Sequence, residues 1–318
     1  MAEKEQMNME KIKLGKGIEV APACLGAMNF GTTADEKAAF AVLDAYVDMG
    51  GNFIDTSNNY AHWQGTGDES ETLLGKWMKE RKNRDKLIIA TKVGFDRHGK
   101  GAGLKRGQIE YWIDESLRKL GTDHVDIYYA HTDDADTPIE ETVEAFDRLV
   151  KDGKVRLLGA SNFDTWRLDR SRRFADENGM ESYSLLQQKY TYLFEKSSCA
   201  PRYIFNEFAG RECLRYLKHE NMPLVAYSCL CGGGYNRPER LPASYESGDR
   251  LAFIRSMAEQ KGVACSSLVV AYLANLHRAG GPRVIPLFSS SSAEHFVQAF
   301  AGVDIALTDC ELDALKKA

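Results

Sequence analysis

Seven side chains carry the chemistry in this sequence: Asp55, Tyr60, Lys92, His131, Asn162, Gln187 and Tyr227. Six of them stand where a short apolar run gives way to a loop, and Tyr60 follows Asp55 by five residues. A free phenol titrates near ~10, too high for easy proton exchange at neutral pH. An ammonium beside it favours the phenolate, so Lys92 is expected to lower the pKa of Tyr60. Asp55 supplies the anion that keeps a lysine charged in a cleft. A nearby histidine, His131, can hydrogen-bond a carbonyl oxygen and fix its direction. These groups move only protons, so an electron source is missing. The carboxamides of Asn162 and Gln187 can grip a nicotinamide amide, and the Tyr227 ring can stack on the nicotinamide. Taken singly, each residue has an ordinary explanation: an Asx turn, a solvated lysine, a structural histidine, a cap or a core tyrosine. The argument rests on finding the whole set at successive strand ends.

The elements that must position them alternate. A hairpin over residues 12–21, turned at Gly15-Lys16-Gly17, precedes eight strand-helix units. The strands are short and apolar, as strands buried on both faces should be. Phe53-Ile54, Leu87-Ile88-Ile89 and Val155 to Ala160 are examples. Between them run helical patterns such as Ile139, Val143, Phe146 and Val150. The expected fold is a (β/α)8 TIM barrel with an N-terminal β-hairpin, one domain over residues 1–318. The alternative is an open doubly wound sheet, disfavoured because no G-x-G-x-x-G follows the first strand. In a barrel the C-terminal strand ends share one face, which gathers the seven residues.

The composition narrows the partners. The chain carries a net charge of -5 and no basic field, which argues against nucleic acid. No run of eighteen apolar residues suggests a membrane span. The polar start Met1 to Gln6 has no signal-peptide character. The seven cysteines are scattered, and Cys229-Leu230-Cys231 is a poor zinc signature. Reduced thiols in a cytoplasmic protein, with no metal, are expected.

Along nearly its whole length the sequence resembles the aldo-keto reductase superfamily. The resemblance is carried by Asp55 to Tyr60, Ile89-Ala90-Thr91-Lys92-Val93-Gly94, Ser116 to Asp123, and Val125 to His131. It continues through Gly153-Lys154-Val155-Arg156, Gly159 to Phe163, Gln187 with Tyr190, and Ala226-Tyr227-Ser228. It implies a nicotinamide-dependent carbonyl reductase or alcohol dehydrogenase acting on an aldehyde, ketone or sugar. The family's tetrad falls on Asp55, Tyr60, Lys92 and His131, with Tyr60 as general acid and base. Its nicotinamide contacts fall on Ser161, Asn162, Gln187 and Tyr227, and its pyrophosphate contacts on Ser228, Leu230 and the following loop. Further cofactor contacts are expected from Gly26, Ala27, Met28 and Asp55, and from Ser289, Ser290 and Ser291. Met28 and Trp63 are expected to join Tyr60 and His131 in the substrate pocket.

Three departures bear on this, one of them the loop Ala61 to Asp68, longer than the usual link to the second helix; one further segment, 192–206, is open to two readings. Relatives that use NADP usually carry a Lys or Arg after strand eight, and no Lys or Arg lies between Pro286 and Ala306 here. Either NAD(H) is used, or serine hydroxyls and a helix N-terminus hold the 2′-phosphate; the resemblance favours NADP(H). The segment 192–206, with Tyr192, Phe194, Arg202 and Tyr203, suits either polyol contacts or ordinary covering structure. The sequence ends soon after its last helix, without the long C-terminal loop of many steroid- and aldose-reducing relatives, so a large enclosed steroid site is not expected. A different class of function compatible with the same motifs is a nicotinamide-binding, redox-sensing regulatory subunit with little turnover. Oligomeric state is not legible in the sequence.

Overall fold

Alternation decides where every strand residue goes. In a strand successive side chains point to opposite faces, so a closed sheet sends one set inward and the other under the helices. The computed structural model describes residues 9–95, 102–196, 208–246 and 248–318. Eight parallel strands close into a barrel in the order β10-β3-β4-β5-β6-β7-β8-β9. They are β3 (Cys24–Gly26), β4 (Phe53–Asp55), β5 (Ile88–Val93), β6 (Val125–Ala130), β7 (Val155–Ser161), β8 (Tyr183–Lys189), β9 (Leu224–Tyr227) and β10 (Val284–Phe288). Cys24, Phe53, Ile88, Ile127, Leu157, Leu185, Val225 and Ile285 meet in the interior, while Leu25, Ile54, Ile89 and Tyr128 pack in the outer core with the helices. The eight-stranded barrel and the hairpin expected from the sequence are both present.

The hairpin strands β1 (Ile12–Gly15) and β2 (Ile18–Val20) bury Ile12, Leu14, Ile18 and Val20 in the interior cluster. They therefore stop the barrel from below. Higher up, the Tyr129 ring fills the interior, and Gly159 is what admits it. A Cβ on Gly159 would lie 2.3 Å from the Tyr129 ring.

Between the strands run α1 (Glu36–Asp48), α2 (Glu69–Arg81), α3 (Arg106–Leu120), α4 (Ile139–Lys151), α5 (Thr165–Glu177) and α6 (Arg211–His219). After β9 come α7 (Asp249–Gln260) and α8 (Cys265–Ala274), and after β10 come α9 (Ala293–Phe300) and α10 (Asp309–Lys317). Their ends follow local chemistry. The Asp35 side chain accepts from Ala38 N at 2.8 Å to start α1. Thr308 and Glu311 form a reciprocal capping box on α10. Gly121, in the left-handed region at φ 65°, ends α3.

Met1 to Gln6, Arg202 and Tyr203, named above, lie outside the described residues, as does Cys199. The other six cysteines are free thiols.

Candidate active site

The interior alternation runs straight into the expected site. Two residues above an interior apolar position stands a polar one: Phe53 leads to Asp55, Ala90 to Lys92, Tyr129 to His131, Gly159 to Ser161, Leu185 to Gln187 and Val225 to Tyr227. Asn162 adds to this ring by adopting a left-handed backbone at φ 55°, a conformation asparagine tolerates better than most residues. Ser228 does the same after β9, at φ 54°.

Lys92 and Asp55 are wholly buried. The Lys92 ammonium donates to Asp55 Oδ1, to the Thr56 carbonyl at 2.7 Å and to the Tyr60 hydroxyl at 2.5 Å. All three of its protons are thereby used. Tyr60 in turn donates to Asp55 Oδ1 at 2.9 Å. Gln187 Nε2 donates to Asp55 Oδ2 at 2.8 Å, so both carboxylate oxygens are held. The His131 ring meets Tyr60 edge to face at 5.8 Å between centroids, and Phe95 at 4.6 Å. Its Nδ1 lies 3.1 Å from Ser57 Oγ. Asn162 Nδ2 donates to the His131 carbonyl at 2.8 Å, and the Tyr227 hydroxyl donates to Asn162 Oδ1 at 2.8 Å.

The electrostatics correct one expectation. Burial, and then the Asp55 carboxylate, hold the Tyr60 phenol well above its usual pKa rather than below it. The ammonium beside it does not prevail, because burial outweighs it and because the same ammonium is paired with Asp55, whose carboxylate also contacts the phenol. Burial pushes Lys92 down, and Asp55 opposes that push. Burial, with the Lys92 charge second, holds His131 well below the ordinary imidazole value, so the ring is neutral near pH 7.

A cleft of about 1400 Å3 opens over this group. Its wall includes Gly26, Met28, Tyr60, Trp63, His131, Ser161, Asn162, Gln187, Tyr227, Ser228, Leu230 and Ser289 to Ser291. Asp55 and Lys92 do not reach that wall. Ala27, expected as a cofactor contact, is buried in the core instead. Its N–H donates to the Asp55 carbonyl and its own carbonyl accepts from Ser70 Oγ at 2.8 Å. Tyr192 is likewise buried, packed against Tyr272, and Phe194 lies over the Arg250 guanidinium; neither lines the cleft.

The far end of the cleft suits a long, phosphorylated ligand. Ser289 Oγ is buried there with no hydrogen-bond partner in the described structure. At Gly232 and Gly233, at φ 62° and 91°, an added Cβ would meet nothing within 4 Å. Such a glycine turn leaves backbone groups open to a pyrophosphate. Arg237 and Arg240 stand exposed on the same wall, and His295 joins them. The sequence reading sought cations only after strand eight and so passed over them. The signal was there, an Arg-x-x-Arg separated from Gly232-Gly233-Gly234 by only Tyr235-Asn236. Asn29, Asn59, His62 and Phe95 also line the cleft and were not singled out.

Comparison with known proteins agrees with this geometry. The family model described as the Aldo/keto reductase family matches residues 22–318. A norsolorinic acid reductase of Aspergillus flavus is 30% identical, over 93% of this chain and 77% of the relative. A norsolorinic acid reductase of Emericella nidulans is 32% identical over the same shares, 93% and 77%. A Saccharomyces cerevisiae protein provisionally named aryl-alcohol dehydrogenase AAD14 is 28% identical, over 94% of this chain and 83% of its own. The chain belongs to the aldo/keto reductase family and is an NAD(P)-dependent oxidoreductase.

Proposed function

We propose that the chain reduces aromatic aldehydes or ketones with NADPH, with Tyr60 as the proton donor. The observation that carries this is the Tyr60 hydroxyl on the cleft wall, bonded at 2.5 Å to a buried ammonium and flanked by a neutral imidazole. The nicotinamide cofactor, when bound, supplies the hydride to the carbonyl carbon. Ser161, Asn162 and Gln187 offer polar groups to its carboxamide, and the Tyr227 ring offers a face. Ser228, Leu230 and the Gly232-Gly233 turn offer backbone groups to its pyrophosphate, and the unpartnered Ser289 hydroxyl fits the ribose phosphate.

The residues of the chain then do the following. His131 donates from Nε2 to the carbonyl oxygen and aims it at Tyr60. As charge develops on that oxygen, the Tyr60 O–H gives up its proton to it. The phenolate left behind is stabilised by the Lys92 ammonium already in contact. The raised pKa of Tyr60 suits this direction, because the phenol stays protonated until the alkoxide forms.

NADP(H) is favoured by Arg237 and Arg240. Both are exposed on the cleft wall that also carries Ser289 to Ser291, and neither makes an ion pair among the described residues. Aromatic substrates are favoured by the mouth of the cleft. Trp63 and Met28 are 55% and 39% exposed there, with Phe95 beside His131. The name of the yeast relative, an aryl-alcohol dehydrogenase, points the same way. The test is NADPH consumption by the purified protein with aryl aldehydes, aryl ketones and free sugars. Turnover of the aryl carbonyls above the sugars is expected. Turnover of none of them refutes the proposal.

A further inference from the structure

His131 can help a carbonyl only if the correct ring nitrogen carries the proton. Its Nδ1 faces Ser57 Oγ at 3.1 Å, and with the Asn59 amide as oriented in the structure that hydroxyl donates to Asn59 Oδ1 at 2.8 Å. Ser57 is wholly buried and Asn59 nearly so, with only an edge on the cleft wall, so bulk water has little access to these bonds. A hydroxyl has a single proton to give. If it goes to the Asn59 oxygen, Ser57 Oγ must accept from His131 Nδ1–H, and Nε2 is bare. A bare Nε2 cannot donate to a carbonyl oxygen. Half a turn of the Asn59 amide leaves its outline unchanged and presents its NH2 group to Ser57. Ser57 then donates to Nδ1, and the imidazole proton resides on Nε2. The ring is neutral, so the tautomer is the variable left to set.

We propose that Ser57 and Asn59 are positioning residues for the reaction, a two-member relay that keeps the His131 proton on Nε2 so that it can meet a carbonyl oxygen. The inference rests on the carbonyl reduction proposed above. The loop from Asp55 to Tyr60 thus has two roles. Asp55 holds Lys92 at one end, and Ser57 with Asn59 orders the histidine in the middle.

The test reads the tautomer directly, by nitrogen NMR of the histidine-labelled full chain without substrate. The His131 signals are those lost in His131→Gln. The unsubstituted protein is expected in the Nε2–H form. Asn59→Asp, of the same outline but able only to accept, draws the Ser57 proton and moves His131 to the Nδ1–H form. Its kcat/KM for aryl aldehyde reduction falls on the order of 100-fold. Adding Ser57→Ala to Asn59→Asp removes the acceptor that held the proton on Nδ1. It returns the ring to Nε2–H and recovers most of the lost rate. A purely structural role for the loop predicts no such reversal by a second substitution. An Nδ1–H form in the unsubstituted protein, or an unchanged Nε2–H form or an imidazolium in Asn59→Asp, overturns the relay. If the tautomers move as described while no variant or parent turns over a carbonyl, the relay stands and the proposed reaction falls.

Discussion

Gln187 donates to Asp55 Oδ2 at 2.8 Å across the barrel interior, from a strand four places round from the strand of the carboxylate. A residue proposed to contact the cofactor is therefore also part of what holds the buried Lys92–Asp55 pair together. Replacing it with an isosteric apolar side chain leaves Asp55 Oδ2 without this donor inside the protein. Gln187→Met is expected to lower stability by about 1–3 kcal/mol. Urea unfolding in the absence of any cofactor measures this, and an unchanged midpoint refutes it.

Tyr60→Phe separates chemistry from scaffold. The substitution removes one hydroxyl and leaves Lys92 its bonds to Asp55 and to the Thr56 carbonyl. Reduction is expected to fall about 100-fold or more, because the proton donor is gone. Cofactor affinity, read by fluorescence titration, is expected to stay within about twofold. Retained turnover with aryl aldehydes refutes the role given to Tyr60.

The parts that the sequence foretold share a cause. Asp55, Lys92, His131, Gln187 and Tyr227 each stand two residues beyond an interior apolar position, so a period of two predicts where each points. Where no period operates, the reading slipped. Ala27 and Met28 are neighbours in the turn after β3, and only the second reaches the cleft. Tyr192, which the sequence leaves open between polyol contact and covering structure, sits in an irregular stretch and packs inward against Tyr272, which no alternation decides. Arg237 and Arg240 follow a glycine turn whose path depends on backbone angles rather than on pattern. The pKa of Tyr60 depends on burial and on the balance of two opposite charges, and residue types alone do not give that balance.

His131 makes the fold acid-sensitive. At pH values above about 6.5, the ordinary imidazole value, the site is neutral in both the folded and the unfolded chain. Below it the unfolded chain takes up a proton that the folded chain refuses, because the folded pKa is depressed. Stability therefore falls as the pH drops, by up to ~1.4 kcal/mol per unit until the folded pKa is reached. Urea midpoints at about pH 7.5 and about pH 5.5 are the measurement, with His131→Gln as reference. The parent is expected to lose roughly 1 kcal/mol more than the variant over that interval. Equal losses refute the depressed pKa.

On the proposed function, the choice of cofactor turns on two arginines that lie before, not after, the last barrel strand. Arg237 and Arg240 share the cleft wall with Ser289, Ser290, Ser291 and His295. A ribose 2′-phosphate is a dianion and draws charge-assisted partners, whereas the matching hydroxyl of NADH does not. Arg237→Ala and Arg240→Ala are each expected to weaken NADPH binding about tenfold, worth ~1.4 kcal/mol, and to leave NADH within about twofold. Because both side chains are exposed, the NADPH preference is also expected to shrink as salt is raised. Equal losses for the two cofactors place the arginines on the shared pyrophosphate. No loss for either leaves the phosphate to the serines and to the N-terminus of α9, where Ser292 caps the helix through His295 N.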